Sequence, residues 1–250
     1  MQLHWHRRDL RAADNRTLAM AADAVADAGD TDGLIALFVF DDAVLTHAGA
    51  PRVAYLLDAL AELRAWYRER GGELLIRQGD PEAVVVDVAH AIDADRVVWN
   101  KDYSGLARER DAAVRQALAD ADIARDSYHD AICHEPGSIT TNDGDPYSVF
   151  TYFGRKWHDR QKDDPYPAPD ADSLLDSDTL GVDAGVMPTR AALGFDEPEA
   201  DLPPAGTEAA RKRLERFCED GIYRYDSDRD YPTRQSTSRL SADLKYGTIG

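Results

Sequence analysis

Leu34 to Phe40 reads LIALFVF, an unbroken apolar run of strand length. A strand with no polar alternation is one covered on both faces, the habit of parallel sheets flanked by helices. On either side the chain alternates strand and helix. Upstream, Leu3 to His6 is a short strand closed by the charged turn Arg7-Arg8-Asp9-Leu10-Arg11, and Asp14 to Ala28 carries Leu18, Ala21, Ala22 and Val25 at helical spacing. Downstream, Arg52 to Arg70 predicts an amphipathic helix through Val53, Leu56, Leu57, Leu60, Leu63 and Trp66 or Tyr67. Leu74 to Ile76 is a third strand, followed by the turn Gly79-Asp80-Pro81, in which Pro81 suits the first position of a helix over Glu82 to Ile92. Arg96 to Trp99 is a fourth strand, Arg108 to Ala119 a helix and Ile123 to Tyr128 a fifth strand.

Regular alternation implies parallel pairing and right-handed crossovers, so residues 1–130 are expected to form an α/β domain with a doubly wound, parallel, five-stranded sheet. Its ligand belongs at the carboxyl ends of the strands. Those ends are the Arg7 to Arg11 loop, Phe40-Asp41-Asp42, Gln78-Gly79-Asp80 and Asn100-Lys101-Asp102. The first strand is followed by no GxGxxG, which disfavours a plain dinucleotide-binding Rossmann domain. Residues 131–204 read as a linker: turn signals, the aromatic run Tyr147 to Trp157, then an acidic, proline-rich stretch with little periodicity. The aromatics are expected to serve packing. Helical spacing returns at Thr207 to Asp220, with Ala210, Leu214, Phe217 and Cys218 on one face, so residues 205–250 open a second, helical domain.

The chain of 250 residues holds 47 Asp and Glu against 29 Lys and Arg, a formal net charge of −18. Such a surface repels nucleic acid as a whole. Lysine occurs only at positions 101, 156, 162, 212 and 245, and the acidic excess is evenly spread. This composition resembles that of proteins adapted to molar salt, where the Debye length falls to about 3 Å. Any DNA binding then depends on a local basic patch. Cys133 and Cys218 are expected to be reduced, buried thiols. With no apolar run of membrane-spanning length and no signal-like N-terminus, a soluble, cytoplasmic protein is expected.

The last stretch, Asp228 to Gly250, reads DRDYPTRQSTSRLSADLKYGTIG. It gathers Ser236, Thr237, Ser238 and Ser241 round Arg239, just before a helix-like run. Hydroxyls and free amide donors at a helix start suit a phosphate, although the same residues are more often plain helix caps. The pattern TSRLSxxLKYG after RDYP resembles the motif with which photolyases and cryptochromes hold the phosphates of FAD. Other motifs of that family occur in order: Trp5 to Arg11 followed by Asp14-Asn15, then Gly79-Asp80-Pro81, Trp99 to Tyr103, Arg110-Asp111 and Pro146 to Thr151.

The resemblance implies a light-driven enzyme in which excited, reduced FAD passes an electron to a cyclobutane pyrimidine dimer flipped out of ultraviolet-damaged DNA. Carried over by motif, Tyr225, Thr237, Ser238, Arg239, Leu240 and Ser241 match FAD-contacting positions, and Arg229 matches a contact to DNA phosphate. Read alone, Arg239 equally suits an ion pair with a nearby aspartate, and Arg229, between two aspartates, more often marks a surface ion pair. The α/β domain of the family carries a light-harvesting antenna chromophore. Folate-using members place a glutamate where this chain has Ala107, so methenyltetrahydrofolate is the lesser alternative. Members using 8-hydroxy-5-deazaflavin resemble the chain better, because Arg52, Asp102 and Lys245 fall on their binding positions and Phe38 to Asp41 lies on the strand end lining the same pocket. Hydroxydeazaflavin is an anion when deprotonated, for which Arg52 and Lys245 are apt partners, while Asp102 can accept from its ring nitrogens.

His4 and His6, two apart on a strand, point the same way and could hold a metal; packing is the simpler reading and no metal is assigned. The family's helical domain continues past this motif, so the chain is expected to be an N-terminal portion, inactive in repair by itself and poorly ordered after about Pro204. A cryptochrome, sensing light without repair, is the alternative reading. A third is an α/β domain that carries a chromophore or nucleotide alone. The resemblance also favours a monomer.

Overall fold

The computed structural model describes residues 1–29 and 33–250. Five strands, β1 (Gln2–His6), β2 (Leu34–Phe40), β3 (Leu74–Gln78), β4 (Arg96–Asn100) and β5 (Ala124–Tyr128), form one sheet in the order β3-β2-β1-β4-β5. Every pairing is parallel, with Leu3 opposite Ile35 on one side and Val97 on the other. All seven residues of β2 are buried, as its unbroken apolar run requires.

Helices cover both faces. Leu34, Ala36, Phe38 and Phe40 of β2 pack towards α1 (Arg16–Ala28) and α3 (Ala50–Arg68), with Leu18, Tyr55, Leu60 and Tyr67. The alternate residues Ile35, Leu37 and Val39 pack with Trp5, Val85, Trp99 and Val114 towards α4 (Pro81–Ala91) and α5 (Gly105–Asp120). A short α2 (Asp42–Leu45) follows β2. Side-chain caps, not periodicity, set the starts of α1 and α5. Asn15 Oδ1 accepts from Leu18 N at 3.1 Å, so α1 begins at Arg16. Ser104 caps α5, starting that helix three residues before its apolar spacing becomes visible.

The connection after β5 is pinned to the sheet edge. Leu34 bridges to Leu174, Leu175 N donates to Leu34 O at 2.9 Å and Ile76 N donates to Ala184 O at 3.0 Å. Within it α6 (Phe150–Asp159) buries no residue, leaving Phe150 and Tyr152 81% and 58% exposed. The expected packing of the aromatic run is met in part: Phe150 and Tyr152 stay exposed, whereas Tyr147, Phe153 and Trp157 are half-buried, Trp157 meeting His134 edge-on at 5.7 Å. Cys133 and Cys218 are free but exposed, not buried: Cys133 lies in the turns after β5, and Cys218 in a π-turn at Phe217–Gly221 that faces outward.

Beyond Pro204 the chain forms α7 (Thr207–Arg216), a π-turn at Phe217–Gly221, α8 (Ile222–Asp228) and α9 (Ser241–Tyr246), where poor order was expected. Docking explains the difference. Asp243, fully buried, accepts from Tyr55 Oη at 2.7 Å and from Thr248 Oγ1 at 3.2 Å, and pairs with Arg213. Among the described residues no helix is long and apolar enough to cross a membrane.

Candidate functional site

At the carboxyl ends of β1, β2 and β4 the chain encloses a cavity of about 260 Å³. The five residues singled out for an antenna chromophore, Phe38, Asp41, Arg52, Asp102 and Lys245, all line it. Local structure explains each position. Phe38 and Asp41 stand at the end of β2, where Asp41 caps α2 through Ala43 N at 2.9 Å. Arg52 lies in the first turn of α3 and donates from Nη2 to His47 O at 2.6 Å. Asp102, just past β4, caps the turn to α5 by accepting from Ser104 N at 3.1 Å.

Lys245 arrives from the far end of the chain on α9. The turn after β1 receives it: Leu10 N donates to Tyr246 O at 2.9 Å, and Arg8 Nε donates to Lys245 O at 2.9 Å. Gly247 closes this contact with φ +63°, and a Cβ there would stand 2.2 Å from Arg8 O. Tyr246 stacks on Tyr55 at 5.6 Å and completes the wall.

The cavity is strongly cationic although the chain is acidic. Arg7, Arg8, Arg52, Arg110 and Lys245 line it against only Asp41 and Asp102 as carboxylates. Arg7 is committed to Asp111, and Arg8 pairs with Asp102 at 3.4 Å. Arg52 and Lys245 pair with no carboxylate among the described residues. Burial, then the neighbouring Arg8 and Arg52, push the Lys245 amine below its ordinary range, against the opposing pull of Asp102. Burial works to raise Asp102, but the Ser104 amide and Arg8 outweigh it and hold its carboxyl low. Arg110 stands over Trp5 at 5.3 Å with Nε and Nη2 buried and without hydrogen-bond partners. Sequence reasoning had not placed Arg8, Arg110 or Tyr246 here, though Arg8 sits in the loop after β1 and Arg110 in the Arg110-Asp111 match.

Behind the cavity a buried polar cluster fixes the β1 turn. Asp9 accepts from Arg7 N at 2.7 Å and from Asn100 Nδ2 at 2.6 Å, and Asn100 Nδ2 also reaches Asn15 Oδ1 at 2.7 Å. Burial works to raise the Asp9 carboxyl; the His4 and His6 rings outweigh it and hold the group well below the usual range. Burial, with His6 beside it, lowers His4 to about 4.

The C-terminal hydroxyl cluster is more open. Thr237, Arg239 and Ser241 are exposed, Ser238 is half-buried, and Leu240 and Ser236 are buried. No hydroxyl caps α9, whose N-cap position is Leu240, so the plain capping reading does not hold here. Arg239 has φ +54° and no partner among the described residues, so its alternative ion-pair reading also fails. Ser236 Oγ is buried without a partner. Tyr225, 41% exposed on α8, meets Phe217 edge-on at 6.1 Å and the Arg229 guanidinium at 5.6 Å. Arg229 makes an exposed pair with Asp226 at 3.4 Å, as an arginine among aspartates does.

A family model described as DNA photolyase matches residues 2–170, more than half of the chain. The chain belongs to the DNA photolyase family. This photolyase-family chain is 57% identical to the deoxyribodipyrimidine photo-lyase of Halobacterium salinarum over its whole length and 53% of that relative. It is 38% identical to an uncharacterized 31.6 kDa protein of Synechococcus, covering 86% of it. A crystal structure of the archaeal photolyase of Sulfolobus tokodaii, described as holding two FAD molecules and implying a novel light-harvesting cofactor, superposes with a TM-score of 0.80 at 25% identity, over all of this chain and 52% of that one. The chain spans about half the length of the curated photo-lyases it matches. A relative from Halobacterium accords with the salt-adapted composition.

Proposed function

We propose that the chain is the antenna-bearing part of a cytoplasmic, monomeric deoxyribodipyrimidine photo-lyase that splits cyclobutane pyrimidine dimers in ultraviolet-damaged DNA. The supporting observation is the cationic cavity, in which Arg52 and Lys245 stand without carboxylate partners and Phe38, Asp41 and Asp102 complete the lining. An anionic, planar chromophore with ring N–H groups matches that donor set, so the antenna is assigned as 8-hydroxy-5-deazaflavin. Arg52 and Lys245 would hold its oxyanion, Asp102 would accept from its ring nitrogens, and Tyr246 would close the apolar side. Methenyltetrahydrofolate is the less suited alternative, since Ala107 offers no acceptor.

Tyr225 and the run Thr237-Ser238-Arg239-Leu240-Ser241 are assigned to FAD, chiefly its diphosphate. The unpaired Arg239 and the orphaned Ser236 hydroxyl fit a phosphate ligand. Bound reduced flavin supplies the electron that splits the dimer; these residues bind and orient it. Arg229, paired weakly with Asp226, is assigned to DNA phosphate.

The test is absorption and fluorescence spectroscopy of the chain purified in high salt from a deazaflavin-producing host, with mass analysis of released chromophores. A deazaflavin lost in an Arg52→Met, Lys245→Met double variant is expected. A folded, colourless wild-type chain overturns the antenna assignment.

A further inference from the structure

We propose that His4, His6 and Asp9 form a buried site for one divalent transition-metal ion of the zinc or cobalt type, tying β1 to the turn that follows it. The ligand atoms of the three residues lie within 4.8 Å of one another. His4 Nε2 stands 3.6 Å from Asp9 Oδ2, and His6 Nδ1 stands 3.7 Å from Asp9 Oδ1. Two ligands about 2.1 Å from a tetrahedral ion sit roughly 3.4 Å apart, so the carboxylate edges of the site need only a small closure. Two neutral imidazoles and a carboxylate are a donor set that such ions take, with the fourth position left to the second carboxylate oxygen or to water.

Satisfied core packing accounts for His6, whose Nδ1 lies 3.0 Å from Asp9 O and whose Nε2 lies 2.8 Å from Tyr67 Oη. It does not account for His4. That side chain is wholly buried, and neither ring nitrogen has a hydrogen-bond partner. Nor does packing balance Asp9, whose ion-pair neighbours among the described residues are these two histidines and no Lys or Arg. A divalent cation answers both. Ligation through His6 Nδ1 moves its proton to Nε2, which then donates to Tyr67 Oη, and Asn100 and Arg7 N already orient the carboxylate. The site is sealed, so the ion enters as the chain folds.

The full chain is refolded in high salt with Co²⁺ and desalted, then examined by metal analysis and visible absorption. About one equivalent of cobalt with the d–d bands of four-coordinate nitrogen–oxygen ligation is expected, and its loss in His4→Leu. Should His4→Leu not fold, Tyr67→Phe serves instead, leaving all three ligands in place and weakening retention about 10–100-fold. Less than a tenth of an equivalent on the refolded wild type, a folded His4→Leu that keeps its cobalt, or an unweakened Tyr67→Phe overturns the site.

Discussion

Replacing Gly247 by alanine isolates what holds α9 against the β1 turn. An L residue at φ +63° carries about 1–2 kcal/mol of left-handed strain. Its Cβ would also meet Arg8 O at 2.2 Å and Asp9 Cα at 2.8 Å. These are backbone atoms that cannot rotate away, and overpacking of that kind costs about 1–3 kcal/mol more. Against a total of roughly 2–5 kcal/mol stand three local hydrogen bonds, from Leu10 N to Tyr246 O, Arg8 Nε to Lys245 O and Arg11 Nη1 to Gly247 O. At about 0.5–1.5 kcal/mol each they are worth about as much as the strain, so the contact of α9 with the β1 turn opens, while Asp243 keeps the helix on Tyr55 and Arg213 and the sheet stays folded. Hydrogen exchange at the Leu10 and Thr248 amides reads this directly, since Thr248 N donates to Asp243 O at 3.1 Å. At 1.4 kcal/mol per tenfold, protection falls by about 30-fold or more. Gly71→Ala, with φ +77° and nothing within 4 Å of the added Cβ, supplies the strain without the clash and leaves both amides protected. Unchanged protection in Gly247→Ala would refute the reasoning.

Asp243→Ala leaves Arg213 and the Tyr55 hydroxyl without their buried partner and is expected to destabilise the chain by about 3–5 kcal/mol in urea unfolding. Lys245 is held below its ordinary range, and an anionic ligand raises it again, so binding takes up a proton. Affinity for a fully ionised chromophore should therefore be full below the free-state pKa of Lys245 and fall as pH rises through it; fluorescence titration of Lys245→Met should show no such fall. Arg229→Ala removes an exposed pair with Asp226 and the guanidinium's contact with the Tyr225 ring and should shift stability by about 1 kcal/mol or less, while weakening DNA binding in a low-salt filter assay.

The sheet was legible because β2 has no polar residue and each flanking segment keeps a clear period. Helix starts were less so, for Asn15 and Ser104 act through single hydrogen bonds that leave no periodic trace. In the cavity, Arg52, Asp102 and Lys245 were found through the family resemblance, whereas Arg8 and Arg110 lay in motif matches that carried no cavity role. Only the parallel order β2-β1-β4 brings their carboxyl-end loops together. The fate of α6 could not be read at all, because an amphipathic helix has the same pattern whether or not its apolar face is covered. Asp9 also escaped notice as a neighbour of His4 and His6, since the turn that folds it back under the strand has no marker beyond its charge.

Lys245 and Tyr246 lie more than a hundred residues beyond β5, yet they wall a cavity that otherwise belongs to the sheet. The unit of inheritance for that cavity is consequently not the α/β module. A shuffled gene that grafted residues 1–130 onto a foreign helical half would keep its open sheet and flanking helices and lose one side of the vessel. Exchange of this module between relatives would have to carry α9 as a passenger, or meet a recipient whose own helix offers a lysine and a tyrosine at the same places.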